Sequence, residues 1–228
     1  PEALLSPAWS PDGLSLAYVS FEDGHSAVFV QNLKTGARKK IRLGRGITGS
    51  PAFSPDGDSL VITSSRDGNP DIYIYSLLDQ STRKITTHPA IDTEGQWSPD
   101  GRGLVFTSDR SGGAQVYYVG LDGSSPRRVT FNMGDYNANA EYSGDGTHLV
   151  MISRGVHGYR VAILNLTTGK SRFLSDAILD ESPSFSPNGD MVIYSSKVKN
   201  VSRLIAVSTD GNMVARKFTL GQSEIREP

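Results

Sequence analysis

The 228-residue sequence predicts an all-β fold, a β-propeller of four-stranded antiparallel blades, and three observations carry that prediction. The tetrapeptide Ser-Pro-Asp-Gly stands at residues 10–13, 54–57 and 98–101, with weaker copies, Ser-Gly-Asp-Gly and Ser-Pro-Asn-Gly, at 143–146 and 186–189. The closing glycines, Gly13, Gly57, Gly101, Gly146 and Gly189, follow at intervals of 44, 44, 45 and 43 residues. Each interval holds four short apolar or β-branched stretches and no segment long enough for a confident helix. Repeats of this length with four strands each are the pattern of propeller blades.

The elements follow in a fixed order within each repeat. Strand a ends on an aromatic residue directly before the turn: Trp9, Phe53, Trp97, Tyr142 or Phe185. In the turn, proline presets φ, the Asp or Asn side chain bonds the backbone just ahead, and glycine accepts φ > 0, so a hairpin follows. Strand b reads "LAYVSF", "LVITSS", "LVFTSD", "LVMISR" or "MVIYSS". A polar loop leads to strand c ("AVFVQNL", "DIYIYSL", "QVYYVGL", "RVAILNL", "RLIAVST"), and a second turn leads to a basic outer strand d such as "RKITT".

Residues 1–228 therefore form a single propeller domain with blades at 1–46, 47–89, 90–134, 135–178 and 179–223, and residues 224–228 resemble the start of a sixth repeat. The chain opens on Pro1 inside the pattern and stops at a repeat boundary, which predicts an excised or engineered piece of a longer protein. Three arrangements stay open: a closed five-blade ring, an open ring, or self-assembly through unpaired blades.

A formal net charge of −1 argues against nucleic-acid or membrane-surface partners. The absence of cysteine excludes disulfides and zinc–thiolate sites. No apolar run approaches the roughly 20 residues that a membrane-spanning helix needs.

Two charge patterns remain. Basic clusters open every strand d (Arg38, Lys39 and Lys40; Arg83 and Lys84; Arg127 and Arg128; Lys170 and Arg172; Arg216 and Lys217), where cations discourage edge-to-edge pairing. The segments leading into strand a are acidic, with Glu2, Asp92, Glu94, Asp135, Glu141, Asp180, Glu181, Glu224 and Glu227 against Arg45 and Arg226. In a propeller these loops converge on one mouth of the channel, so the pattern predicts a site for a basic peptide or a cation such as calcium. No D-x-D-x-D-G loop accompanies it.

Catalytic patterns do not emerge. "GHSAV" at residues 24–28 lacks the closing glycine of a nucleophile elbow. The four histidines, His25, His88, His148 and His157, fall at different positions of different repeats. Asp180 and Glu181 are adjacent and point to opposite sides of an extended strand, which makes them a poor acid–base couple. The sequons at Asn165 and Asn200 are expected by chance. The sequence predicts a protein that is not an enzyme and needs no cofactor.

"PAFSPDG", "FTSDRSGGAQVYYV" at 106–119, "LDESPSFSPNGDMVIYSS" at 179–196 and "VSTDG" at 207–211 resemble the PD40 class of WD40-like propellers, and within it the TolB family of the Tol–Pal envelope system. The resemblance extends over all 228 residues. It implies a six-bladed relative with an additional N-terminal α/β domain, so that this chain is a truncated form. It also implies a periplasmic, non-catalytic scaffold that binds the lipoprotein Pal, with colicin translocation peptides competing at the channel mouth. The positions matching that surface are Ile47, Thr48, Asp92, Thr93, Glu94, Asn137, Asn139, Asp180 and Glu181. The alternative is the gating propeller of a PD40-containing serine peptidase of the prolyl oligopeptidase or tricorn type, which requires a fused hydrolase domain with G-x-S-x-G.

Overall fold

The computed structural model describes residues 4–156, 158–176, 179–198, 201–211 and 216–218, with the backbone alone at 198 and 216–218. Residues 224–228 lie outside these, as do Glu2, His157 and Asn200. The chain divides into two compact units, Pro1–Gly112 with Tyr117–Arg127, and Gly113–Val116 with Arg128–Pro228.

The first unit holds blade one, with β1 (Leu4–Trp9), β2 (Ser15–Ser20), β3 (Ala27–Asn32) and β4 (Arg38–Ile41), and blade two, with β5 (Thr48–Phe53), β6 (Ser59–Ser64), β7 (Asp71–Ser76) and β8 (Thr82–Lys84). Blade three comprises β9 (Asp92–Trp97), β10 (Gly103–Ser108), β11 (Gln115–Gly120) and β12 (Arg127–Arg128), and the division between the units falls inside it. The second unit holds blade four, with β13 (Asn137–Tyr142), β14 (His148–Gly155), β15 (Gly158–Asn165) and β16 (Ser171–Phe173), and blade five, with β17 (Asp180–Phe185), β18 (Met191–Val198), β19 (Val201–Ser208) and β20 (Arg216–Phe218). Each blade is one four-stranded sheet whose strands neighbour one another in sequence order. The paired registers are antiparallel. The predicted fold class, an all-β propeller with five four-stranded blades, is therefore the one adopted. Among the described residues there is no helix, and so none long and apolar enough to cross a membrane.

The repeated turn is a self-contained hydrogen-bonded module. In blade three the Ser98 Oγ accepts the Gly103 N–H at 3.0 Å and lies 2.6 Å from Asp100 Oδ1 and 3.0 Å from the Gly103 carbonyl. Asp100 Oδ1 also accepts the Arg102 N–H at 3.0 Å, and Gly101 N–H reaches the Ser98 carbonyl at 2.9 Å. The other four blades repeat this arrangement. The five turn glycines share φ between 69° and 79°, a region that side chains with a Cβ rarely occupy. Hydrogen bonds to the ionised form hold the Asp12, Asp56, Asp100 and Asp145 carboxyls below their usual range, the serine hydroxyl first among them. Because Ser98 is buried, Ser98→Ala leaves the Gly103 N–H without its acceptor. The expected loss is about 1–2 kcal/mol in urea denaturation.

Every inner strand carries the same β-bulge. The register slips by one residue between Leu5 and Ala8, Gly49 and Ala52, Thr93 and Gln96, Ala138 and Glu141, and Glu181 and Ser184. The third residue of each strand, Ser6, Ser50, Glu94, Asn139 or Ser182, has φ between 48° and 57°. None is glycine, so each holds a left-handed conformation at a cost of about 1 kcal/mol. The bulge interrupts the ladder and re-aims the residues on either side of it.

Blades pack face to face inside each unit. Blade one offers Ala17, Val19, Val28, Ile41 and Leu43 to Leu60, Ile62, Tyr73 and Tyr75 of blade two. The opposite face of blade two, Ala52, Val61, Ile72 and Ile74, meets Leu104, Phe106, Tyr117 and Val119 of blade three. In the second unit Val150, Ile152 and Val161 of blade four meet Val192, Tyr194, Ile205 and Val207 of blade five. Strand alternation supplies both faces at once, which is why strands b and c read as nearly continuous apolar runs. At Gly95 an added Cβ would stand 2.7 Å from Val61 Cγ2, so this bulge residue is small because its neighbouring blade lies against it.

Candidate binding site at the start of the inner strands

The nine predicted positions fall at the starts of β5, β9, β13 and β17, and they divide into two kinds. The first residue of each strand points inward and latches onto the preceding blade. Thr48 is buried, its N–H donates to Ser26 Oγ at 3.0 Å, and its Oγ1 accepts the Leu43 N–H at 3.4 Å. Asp92 is fully buried; its N–H donates to the Pro70 carbonyl at 2.9 Å. Its carboxylate receives Arg110 Nη2 at 2.7 and 3.0 Å. The Arg110 guanidinium in turn lies 5.2 Å from the Phe106 ring and 4.8 Å from the Tyr117 ring, which fixes its place.

In the second unit Asn137 is fully buried and donates from Nδ2 to Gln115 Oε1 at 2.9 Å and to the Met133 carbonyl at 2.7 Å. Its backbone N–H reaches the Ala114 carbonyl at 2.8 Å. Asp180, also fully buried, accepts the Ser175 hydroxyl on Oδ2. Burial pushes its carboxyl above the usual range, against the lowering effect of Ser175 and Ser196. At three of the four latches a hydroxyl just past strand d takes part: Thr86, Thr130 and Ser175 accept the N–H groups of Ile72, Val116 and Val161 at 3.0, 3.1 and 2.9 Å.

The remaining positions stand at or near the surface. Ile47 is 59% exposed and is held by its N–H to Ser65 Oγ at 2.9 Å. Thr93 and Glu94 are half-buried, and Glu94 accepts Thr107 Oγ1 at 2.7 Å while its N–H donates to Thr63 Oγ1 at 3.1 Å. Asn139 is half-buried at its bulge and Glu181 is exposed. The first unit thus gathers Ile47, Thr93 and Glu94 at the starts of neighbouring inner strands, and the second gathers Asn139 and Glu181 in the same way.

Among the described carboxylates of these acidic segments, three are drawn to partners of their own. Asp92 is neutralised by Arg110, and Asp135 is paired with Arg154 Nε at 2.9 Å. Glu141 is drawn between blades four and five, where its Oε1 accepts the Phe185 N–H at 3.0 Å and stands 3.3 Å from Ser184 Oγ. Among the described residues no three His, Asp or Glu gather as a metal-holding group. The basic clusters do lie on outer strands, and several of their cations stack on aromatic rings: Arg38 is 4.4 Å from Phe29, and Arg127 is 4.9 Å from Tyr118.

Sequence reasoning missed Arg110 and the latch hydroxyls. A signal existed for both. Arg66 and Arg110 recur 44 residues apart in "TSSRDG" and "TSDRSG", and a Ser or Thr recurs after strand d at 86, 130 and 175.

These blades and their repeated turns match known proteins from end to end. The profile of the TolB β-propeller domain covers residues 1–228. The chain belongs to that family. It is 58% identical over 229 residues to the Tol-Pal system protein TolB of Xanthomonas oryzae pv. oryzae, covering all of this chain and 52% of that protein. The TolB-family chain therefore spans about half the length of the curated relatives it matches. It also superposes on the crystal structure of TolB from Acinetobacter baumannii with a TM-score of 0.92 at 42% identity, covering 99% of this chain and 56% of that one. The tricorn protease is similar over 99% of this chain and 23% of its own, with a TM-score of 0.76, but at 20% identity that likeness is one of fold alone. The relatives at 58% identity carry the name Tol-Pal system protein TolB.

Proposed function

We propose that this propeller is a non-catalytic, periplasmic protein-binding module that takes the lipoprotein Pal at the starts of its inner strands, with colicin translocation peptides competing there. The observation that carries the reading is the bulge repeated in every inner strand. It holds non-glycine residues in a left-handed conformation at one structural position, and strained backbone of this kind concentrates at sites that present groups to a ligand. Membership of a family whose relatives are Tol–Pal system proteins supplies the partner class. Ile47, Thr93, Glu94, Asn139 and Glu181 contact the partner in this reading. Thr48, Asp92, Asn137 and Asp180 act through the backbone they anchor. No cofactor and no calcium is assigned.

The test is calorimetric titration of the protein with the soluble domain of Pal in the presence of EDTA. Saturable binding is expected, weakened roughly tenfold by Glu94→Gln or Glu181→Ala and displaced by a colicin translocation peptide. Absence of binding, or variants that bind as the parent does, would falsify the assignment.

A further inference from the structure

Blade four and the segment leading into it line a cavity of about 660 Å³ to which none of the bulged residues contributes. Three guanidinium groups line it, Arg154, Arg160 and Arg172, with one carboxylate, Asp135, and two apolar walls, Val156 and Phe173. Two of the arginines are already engaged: Arg154 holds Asp135, and Arg172 Nη2 donates to the Thr209 carbonyl. Arg160 is different. Its side chain is 15% exposed, yet its Nε is buried with no hydrogen-bond partner among the described residues. Asp176 stands at the limit of an ion pair, with Oδ1 4.0 Å from Nη1, and is itself fully exposed, while the buried Asp180 carboxylate acts on Arg160 through charge without a hydrogen bond between them.

The surroundings fix the Arg160 fork in place. Its guanidinium carbon lies 3.6 Å from the Phe173 ring centroid. Its Nη2 occupies the space over Gly155, where an added Cβ would stand 2.5 Å away. A planar cationic fork held against an aromatic ring presents its Nη donors in one fixed orientation, which suits a planar anion. The adjoining side chains favour more than an inorganic ion, since Val156 is 94% and Phe173 38% exposed and both offer apolar contact.

We infer that this pocket binds the carboxylate of a peptide, either at the peptide's C-terminus or on an acidic residue within it, with an adjacent apolar residue lying on Phe173 and Val156. Arg160 is the principal donor, and Arg172 adds charge from the rim. The inference does not depend on the Pal reading, and short probes keep the two apart.

Three probes are titrated into the isotopically labelled 228-residue protein: acetyl-Gly-Phe with a free C-terminal carboxylate, its C-terminal amide, and acetyl-Glu-Phe-amide. The amide signals of Gly155, Val156 and Tyr159 report. One or both carboxylate-bearing probes are expected to move these signals saturably at millimolar concentration while the acetyl-Gly-Phe amide does not. A response to the free acid alone identifies a C-terminal carboxylate, and a response to the Glu probe identifies an acidic residue. Arg160→Gln is expected to weaken binding roughly tenfold or more, and Arg172→Gln, at an exposed position, several-fold without loss of fold. The inference is overturned by silence from both acids, by an equal response to the amide, by inorganic phosphate binding as tightly as either acid, or by folded variants that bind as the parent does.

Discussion

Arg110→Ala is expected to lower the stability of the first unit by about 3–5 kcal/mol, the cost of leaving a buried charge without its partner. The Asp92 carboxylate is fully buried, and Arg110 Nη2 contacts both of its oxygens. Removing the guanidinium leaves that carboxylate among the residues that close blade three on blade two. It also removes the cation from the rings of Phe106 and Tyr117. For a protein of this size the loss corresponds to roughly 10 °C in thermal denaturation. The second change that checks the cause is Asp92→Asn in the Arg110→Ala background. Removing the orphaned charge is expected to restore a large part of the loss, whereas a stacking role for Arg110 alone predicts no recovery. A single variant within about 0.5 kcal/mol of the parent sinks the argument.

Glu141→Gln is expected to stabilise the protein at pH 8 by up to about 3 kcal/mol and to change little at pH 4. Burial between blades four and five pushes the Glu141 carboxyl up to about 7 from an ordinary 4.5, against hydrogen bonds from Phe185 and Ser184 that favour the ionised form. A carboxyl with a raised folded-state pKa binds its proton more tightly in the native state than in the unfolded chain. Its protonated form is therefore fully compatible with folding below about pH 4.5. The cost of burying the charge grows as pH rises through 4.5 towards 7, and is constant above that. Glutamine keeps an oxygen that accepts the Phe185 N–H and carries no charge at any pH. Urea midpoints of parent and variant should coincide at pH 4 and separate between pH 5 and 8; a constant offset across that range excludes Glu141 as the titrating group.

The parts of this fold that can be read in the sequence are those whose causes are local. Ser-Pro-Asp-Gly names every atom of its own hydrogen-bonded turn, so its four carboxylate acceptors, its one amide acceptor at Asn188 and all five glycines are legible from the residues alone. The aromatic residue before the turn is equally visible, although its role is not: Trp97 donates from Nε1 to the Ala52 carbonyl of the neighbouring blade at 3.2 Å, whereas Trp9 is 63% exposed. What stays hidden depends on residues brought together across blades. Asp92, Asn137 and Asp180 look like surface acids and amides along the sequence. Only an arginine of the loop after β10, a glutamine of β11, or a hydroxyl at the end of the blade before reveals them as buried latches. The left-handed bulge residues are obscured for a chemical reason. Ser and Glu carry no mark of positive φ, and Asn only a weak one, yet Ser6, Ser50, Glu94, Asn139 and Ser182 keep the same intervals as the turn glycines.

The latch also separates two periodicities that the sequence presents as one. Gly113–Val116 belong by contact to the second unit although they lie within blade three, because Ala114, Gln115 and Val116 are tied to Thr130 and Asn137. The segment that coheres is thus out of phase with the segment that repeats. The second, third and fourth copies each carry a hook, at 48, 92 or 137, and an eye, at 86, 130 or 175, so a lineage that gains or loses one such 44-residue stretch keeps a latch at the junction it leaves. What it cannot do freely is exchange a single blade between distant relatives, because hook and eye would then come from different ancestors.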